Sequence, residues 1–318
     1  MLRYIANRVA LGLVSLLLLS IMIYAAAQVL PGNPGRLVLG REATAGAVEE
    51  FNRSLGVDRP LPVRYADWLS DAVRGDFGSN YTDGRPVTDD LIPALQKSLF
   101  LALFAFVICI PFSILAGVFA AMRRGRAEDR AITVTGLSLA VIPEFVLGAV
   151  LVTVFGPAFL GWFPGIAGTL FEASFLTKLD SLFLPALALA LVLFGYIARM
   201  ARAGTIEALD ADYTRTATLK GLGRRQVLGR HVLRNALLPT IAVIATNMGY
   251  LFGGIVAIER LFGYPGVGFL TLQSATIKNF PMLQACVLII GIVYFAATLA
   301  GDLLISALNP RIRLTRQG

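Results

Sequence analysis

Six stretches of this 318-residue chain are apolar for long enough to cross a hydrocarbon layer as helices: Val9–Leu30, Leu99–Met122, Ala131–Phe155, Ser181–Ala198, Leu237–Ile258 and Met282–Ala307. A helix rises about 1.5 Å per residue and a bilayer core is about 30 Å thick, so about 20 residues make one crossing. The pattern predicts an all-α polytopic membrane protein with about six transmembrane helices. The second run carries Pro111, and the third carries Pro143 followed by Glu144. A proline at such a place removes a backbone hydrogen bond and frees a carbonyl that needs another partner.

The segments between the runs are patterned too. A loop of about 65 residues, Pro31 to Lys97, separates the first two runs. Within it Ala45–Leu55 reads as a short helix and Val63–Val73 as an amphipathic helix carrying Trp68 and Leu69. Trp162, Phe163 and Pro164, between the third and fourth runs, form an aromatic cluster suited to a membrane interface. Arg199–Asn235 joins the fourth and fifth runs. Its polar, helix-compatible stretch is broken at Lys220-Gly221-Leu222-Gly223, so two short helices meeting at the glycines are expected. From the residues alone, this stretch also suits a basic amphipathic segment lying on anionic headgroups.

Charge orients the spans. The chain is 56% hydrophobic, 15% charged and carries a net charge of +8. With the N-terminus inside, 17 of the 28 basic residues fall in about 64 residues of inner segments, while acids are five inside and 13 outside. The positive-inside rule then places both termini in the cytoplasm, and it accounts for the positive charge without nucleic acid. Arg199 and Arg202 are expected to snorkel to the headgroups. Ala25-Ala26-Ala27-Gln28 resembles a signal cleavage site, but the apolar run before it is longer than a signal h-region of about 7–15 residues, which favours a retained span.

Candidate chemistry is sparse. Cys109 and Cys286 lie inside apolar runs, and His231 is the one histidine, which leaves catalytic metal chemistry without a ligand set. Gly263-Tyr264-Pro265-Gly266-Val267-Gly268 has the wrong spacing and context for a dinucleotide loop and reads as a structured external turn. No Gly-x4-Gly-Lys-Ser/Thr run occurs, so energy for any uphill work has to come from another subunit. Glu144 is the one acid well inside a run, and charged groups at depth face a bundle interior or an aqueous cavity. It is a possible pathway residue meeting a substrate amino group or a cation; the alternatives are a structural pair with an arginine or a contact with a partner subunit.

Glu207-Ala208-Leu209, Asp212-Tyr213-Thr214-Arg215-Thr216-Ala217, Lys220-Gly221-Leu222 and His231-Val232-Leu233-Arg234-Asn235-Ala236-Leu237-Leu238-Pro239 resemble the EAA loop of ABC importer permeases. The form is that of the dipeptide/oligopeptide permease family, B-type subunit. Leu30-Pro31-Gly32-Asn33-Pro34, Leu55-Gly56-Val57-Asp58-Arg59-Pro60-Leu61, Tyr65, Trp68-Leu69 and Gly75-Asp76-Phe77-Gly78 are similar to that family in order and spacing. So are Leu160-Gly161-Trp162-Phe163-Pro164, Glu259 to Gly268, and Asn309-Pro310-Arg311-Ile312-Arg313. Asn279 and Asn309 stand where an aspartate is usual in the family.

The resemblance implies a type I ABC importer permease fold for residues 98–307, preceded by a first span in 1–30 and an external loop domain in 31–97. A coupling loop lies at 199–235 and a cytoplasmic tail at 308–318. It implies that Glu207, Tyr213, Arg215, Thr216, Ala217, Lys220, Gly221 and Leu222 engage an ATPase subunit. A bulky side chain at Ala217 or Gly221 is expected to hold the coupling helix off its groove. Glu259, Phe262, Pro265, Gly266 and Gly268 belong by resemblance to an external scoop facing a binding protein. The implied partners are a second, C-type permease, two ATP-binding subunits, an external solute-binding protein and membrane lipid, with no nucleic acid. No cofactor is expected on this chain, ATP and magnesium being held by the partners, and the chain is expected not to be an enzyme. The implied place is the cytoplasmic membrane of a prokaryote, and the implied cargo is peptides, with nickel complexes, glutathione or haem as alternatives. An ion-driven transporter predicts inverted repeats and several buried acids, and an intramembrane protease predicts paired catalytic groups in the spans. Neither pattern is visible in the sequence.

Overall fold

The apolar runs are helices in the computed structural model, which describes residues 2–29, 34–40, 42–54, 56, 58–167 and 175–308. In chain order the helices are α1 (Leu2–Val29), α2 (Pro34–Leu39), α3 (Ala45–Ser54), α4 (Leu61–Val73), α5 (Val87–Met122), α6 (Ala127–Val141) and α7 (Glu144–Phe155). They continue as α8 (Phe175–Asp210), α9 (Asp212–Leu219), α10 (Arg224–Val227), a π turn at Leu228–Val232, α11 (Leu233–Leu261), α12 (Val267–Ile277) and α13 (Phe280–Leu308). The family-like residues Leu30 to Asn33, Leu55, Val57 and Asn309 to Arg313 lie outside the described residues. Among the described residues five helices are long and apolar enough to cross a membrane, with α6 and α7 a sixth span if counted together.

That sixth span corrects an expectation. The run Ala131–Phe155 suggested one helix, but α6 and α7 meet at 109°. Pro143 is the cause: its ring disfavours helical backbone at the residue before it, and Ile142 is extended (φ −78°, ψ 127°). The chain turns there, and Pro143 then caps the helix that Glu144 opens.

The chain divides into two units. One holds residues 1–5, 100–264 and 294–318. Its centre is α8, which packs against α6, α7 and α11. Leu182, Leu184, Ala186, Ala188, Leu189, Ala190, Val192, Leu193 and Ile197 are all buried, as a helix apolar on every face must be when neighbours surround it. Small side chains let those neighbours come close. A Cβ on Gly195 would run into the carbonyl oxygen of Gly136, so α6 and α8 touch backbone to backbone.

The other unit holds residues 6–99 and 265–293. Val87, Leu91, Ala94, Val267, Met282, Ala285 and Cys286 form its core. The amphipathic α4 lies on α1 through Tyr65, whose hydroxyl is 2.7 Å from Ser20 Oγ, and through Trp68, whose ring is 5.3 Å from that of Tyr24. Near the start of α13, Asn279 Nδ2 donates to Asn80 Oδ1 at 2.6 Å, and the backbone of Tyr81 donates to Asn279 Oδ1 at 3.3 Å. The asparagine that replaces a more usual aspartate is therefore fitted to a neighbour that needs a donor.

Candidate functional site

The segment after α8 builds a small platform. α8 ends at Asp210, Ala211 is extended, and α9 begins with Asp212, whose charge suits a helix start. Thr214 Oγ1 donates to the carbonyl of Ala208 at 2.6 Å and fixes the corner between the two helices. After α9 the chain reverses at Gly221, whose φ of +78° is the left-handed conformation that glycine adopts without cost. Two short helices meeting at the glycines were expected, and α9 and α10 are such a pair. The π turn that follows α10 had no signal in the sequence.

The two faces of α9 differ sharply. Ala217 is buried with Ala208, Val227, Val232 and Ala236, and Leu222 and Leu228 pack on this cluster. Glu207, Tyr213, Arg215, Thr216, Lys220 and Gly221 are exposed, and so is Leu219, at 82%. One expectation is corrected here: Ala217 faces this chain's own core, not a partner's groove. Its smallness serves to bring α9 down onto α10, the π turn and α11. Leu219 is the aliphatic side chain that α9 presents outward.

A second feature sits at the α6–α7 elbow. Glu144, the first residue of α7, is half-buried. Its carboxylate lies over Gly254 of α11, where an added Cβ would be 2.9 Å from Cδ and 2.9 Å from Oε1. Among the described residues no hydrogen bond or ion pair is made to it, so the expected alternative of an arginine partner within this chain is not what the fold supplies. Tyr250 and Gly253 of the same helix are exposed.

The residues expected to form an external scoop differ in exposure from a free surface loop. Glu259 and Phe262 are fully buried. The carbonyl of Phe262 accepts from the backbone of Ala167 at 2.8 Å, and that of Glu259 accepts from Tyr264 at 2.8 Å. Burial, and then the charge of Glu259, push the Tyr264 phenol above its ordinary range, so it stays protonated. In the other unit Pro265 is half-buried and Gly266 and Gly268 are buried, Gly266 opening α12. Arg202 is a further correction: it does not snorkel but reaches Asp129, donating from Nε at 2.5 Å and Nη2 at 2.8 Å.

Residues 113–314 match the family described as binding-protein-dependent transport system inner membrane component, and residues 1–95 match its N-terminal counterpart. The chain belongs to this family. It is similar to the glutathione transport system permease protein GsiC of Escherichia coli strain K12, with 34% identity over 317 residues covering 98% of this chain and 99% of that protein. The GsiC proteins of Shigella dysenteriae serotype 1 and Shigella flexneri serotype 5b are similar to the same extent. The permease is thus a multi-pass inner-membrane subunit of an ABC importer, a class that works with a second permease, ATPases and a binding protein. The places taken by Gly254, Leu219 and Asp129 are not legible in the sequence. Gly254 was one of several span glycines, and nothing in its spacing told that it faces a carboxylate.

Proposed function

We propose that this permease, paired with a second one, carries short peptides, glutathione among them, inward across the membrane. The observation that carries the reading is Glu144. A carboxylate without a partner among the described residues, half-buried at an elbow between apolar helices, suits the free ammonium group that short peptides bear. The similarity to glutathione permeases supports the same class. Both termini lie in the cytoplasm on this reading, as the arginine-rich segments at 123–130 and 199–234 favour.

The exposed face of α9 is then the docking surface for an ATPase subunit, with Leu219 as its apolar anchor and Tyr213, Arg215 and Lys220 around it. The platform beneath α9 is a packed apolar cluster, so a push on α9 is passed to α8 and α11 instead of being absorbed locally. The absence of a phosphate-binding loop in the sequence supports a subunit that is not itself an enzyme, with ATP and magnesium held by the partners. The test is uptake by the complete complex in proteoliposomes. Glu144→Gln should lower uptake of labelled glutathione or dipeptide about tenfold while basal ATP hydrolysis stays as in the wild type, a loss of ~1.4 kcal/mol of binding. Wild-type uptake by the variant would remove Glu144 from the pathway.

A further inference from the structure

We propose that the Asp129–Arg202 ion pair is a coupling strut, which carries displacement of α9 into α6 and so to the elbow that holds Glu144. This rests on the reading above in which α9 takes the ATPase stroke. Asp129 stands in the first turn of α6 and is 3% exposed. It accepts both hydrogen bonds of the Arg202 fork and a third from the backbone of Gly125 at 2.9 Å. Such a fork fixes orientation as well as distance, which a point contact between apolar side chains does not.

The pair has a defined place between two moving parts. Arg202 lies on α8 about two turns before its end at Asp210, from which the chain passes through Ala211 into α9. Along α8 from Arg202, the backbone contact of Gly195 with Gly136 holds α6 against α8 a second time. α6 is thus gripped at its first turn and again at mid-length, and it ends at the 109° elbow. A tilt of the lower end of α8 has to rotate α6, and with it the position of Glu144. The neighbouring pair Arg124–Asp210, at 3.0 Å, joins the same turn to the last residue of α8 but is exposed on both sides. Exposed pairs contribute little, whereas a carboxylate left buried without its partner is costly. The strut is therefore assigned to Asp129 and Arg202 and not to Arg124 and Asp210. These are positioning residues, acting on the pathway through α6.

The experiment uses the complete complex, with its binding protein, in proteoliposomes. For Asp129→Asn we expect normal assembly, an unchanged KM for ATP and unchanged basal hydrolysis; Arg202→Gln, which strands the buried Asp129 carboxylate, should assemble and hydrolyse at the basal rate but melt at a lower temperature. Substrate-stimulated hydrolysis and uptake should fall about tenfold in each, with the double variant no worse than either single one. Arg202→Lys, which keeps the charge but loses the fork, should recover only part of the rate, and Arg124→Ala should stay near wild type. Uptake at the wild-type level in Asp129→Asn would overturn the proposal. So would a parallel fall of basal hydrolysis, stimulated hydrolysis and thermal stability, which would reduce the pair to a structural contact. Loss of stimulation in Leu219→Ala alongside a normal Asp129→Asn would overturn the strut alone. A wild-type complex lacking stimulated hydrolysis would overturn the α9 reading and the strut with it.

Discussion

The carboxylate of Glu144 rests against the bare α-carbon of Gly254, so close that a methyl group there would lie 2.9 Å from the carboxyl carbon and one of its oxygens. The bend at Pro143 aims the first residue of α7 at α11, and the glycine makes the room it needs. Two residues far apart in sequence therefore share one position in the fold.

Gly254→Ala is expected to displace the carboxylate, because the far end of a glutamate side chain yields more readily than helix backbone. The spans should stay folded while uptake by the complex falls toward that of Glu144→Gln, with the two changes together no worse than the second alone. Gly253→Ala is the control: no atom lies within 4 Å of the added group, and transport should be unchanged. Equal effects at positions 253 and 254 would mean that the loss comes from the helix and not from Glu144.

Gly195→Ala tests the packing itself. Its methyl would collide with the carbonyl oxygen of Gly136, a contact that backbone cannot relieve without separating α6 from α8. Overpacking of this kind costs about 1–3 kcal/mol. A lower melting temperature of the detergent-solubilised chain is expected, with less complex recovered; an unchanged melting temperature would show that the two helices can part freely.

Much of this architecture was legible before any coordinates. Runs such as Ser181–Ala198 and Met282–Ala307 must be helices because their backbone groups have no other partners in lipid. The short helix expected at Ala45–Leu55 and the amphipathic one expected at Val63–Val73 correspond to α3 and α4, α4 starting earlier, at Leu61, after Pro60, a proline suited to a helix start. What could not be seen was direction. Periodicity says that α9 has two faces but not which one the chain keeps for itself, so the inward place of Ala217 and the outward place of Leu219 are visible only in the fold. The right angle at Pro143 was hidden for a related reason: the run 131–155 is apolar throughout, and hydropathy records length but not bending. Arg202 was given to the headgroups because Asp129, 73 residues away, enters its reach only through the packing of α6 on α8.

The two faces of α9 make opposite predictions. Ala217→Leu should overpack the cluster of Ala208, Val227, Val232 and Ala236 and destabilise by about 1–3 kcal/mol. Leu219→Ala, at an 82% exposed position, should leave the melting temperature alone and weaken retention of the ATPase subunits on affinity purification. Gly221→Val should strain the left-handed turn by about 1–2 kcal/mol and uncouple hydrolysis from uptake with the spans intact. Copurification and melting temperature, measured together, separate these outcomes; a stability loss in Leu219→Ala equal to that in Ala217→Leu would reverse the assignment of the faces.

Asn279→Asp is expected to create a pH dependence. The new carboxylate would be buried and would face Asn80 Oδ1, which already accepts from Asn279 and from the backbone of Thr82 at 2.9 Å. The backbone of Tyr81 would still donate to one oxygen, but the other would face an acceptor, and burial with that repulsion raises the folded-state pKa above the unfolded value of about 3.9, so protons favour the folded form. Stability of the variant should therefore be lowest at neutral pH and improve as pH falls through the raised pKa. Thermal melts of variant and wild type between pH 5 and pH 8 check the sign, and parallel curves would show that the site tolerates the charge.

The central claim is that this chain guides solute but is driven by a separate nucleotide-hydrolysing subunit gripping α9. It is tested most directly by ATP-dependent accumulation of labelled glutathione in proteoliposomes holding either the whole importer or this permease alone. Accumulation with the whole importer and none with the permease alone is the predicted result. Accumulation by the permease alone, driven by ATP or by an ion gradient, would contradict the account.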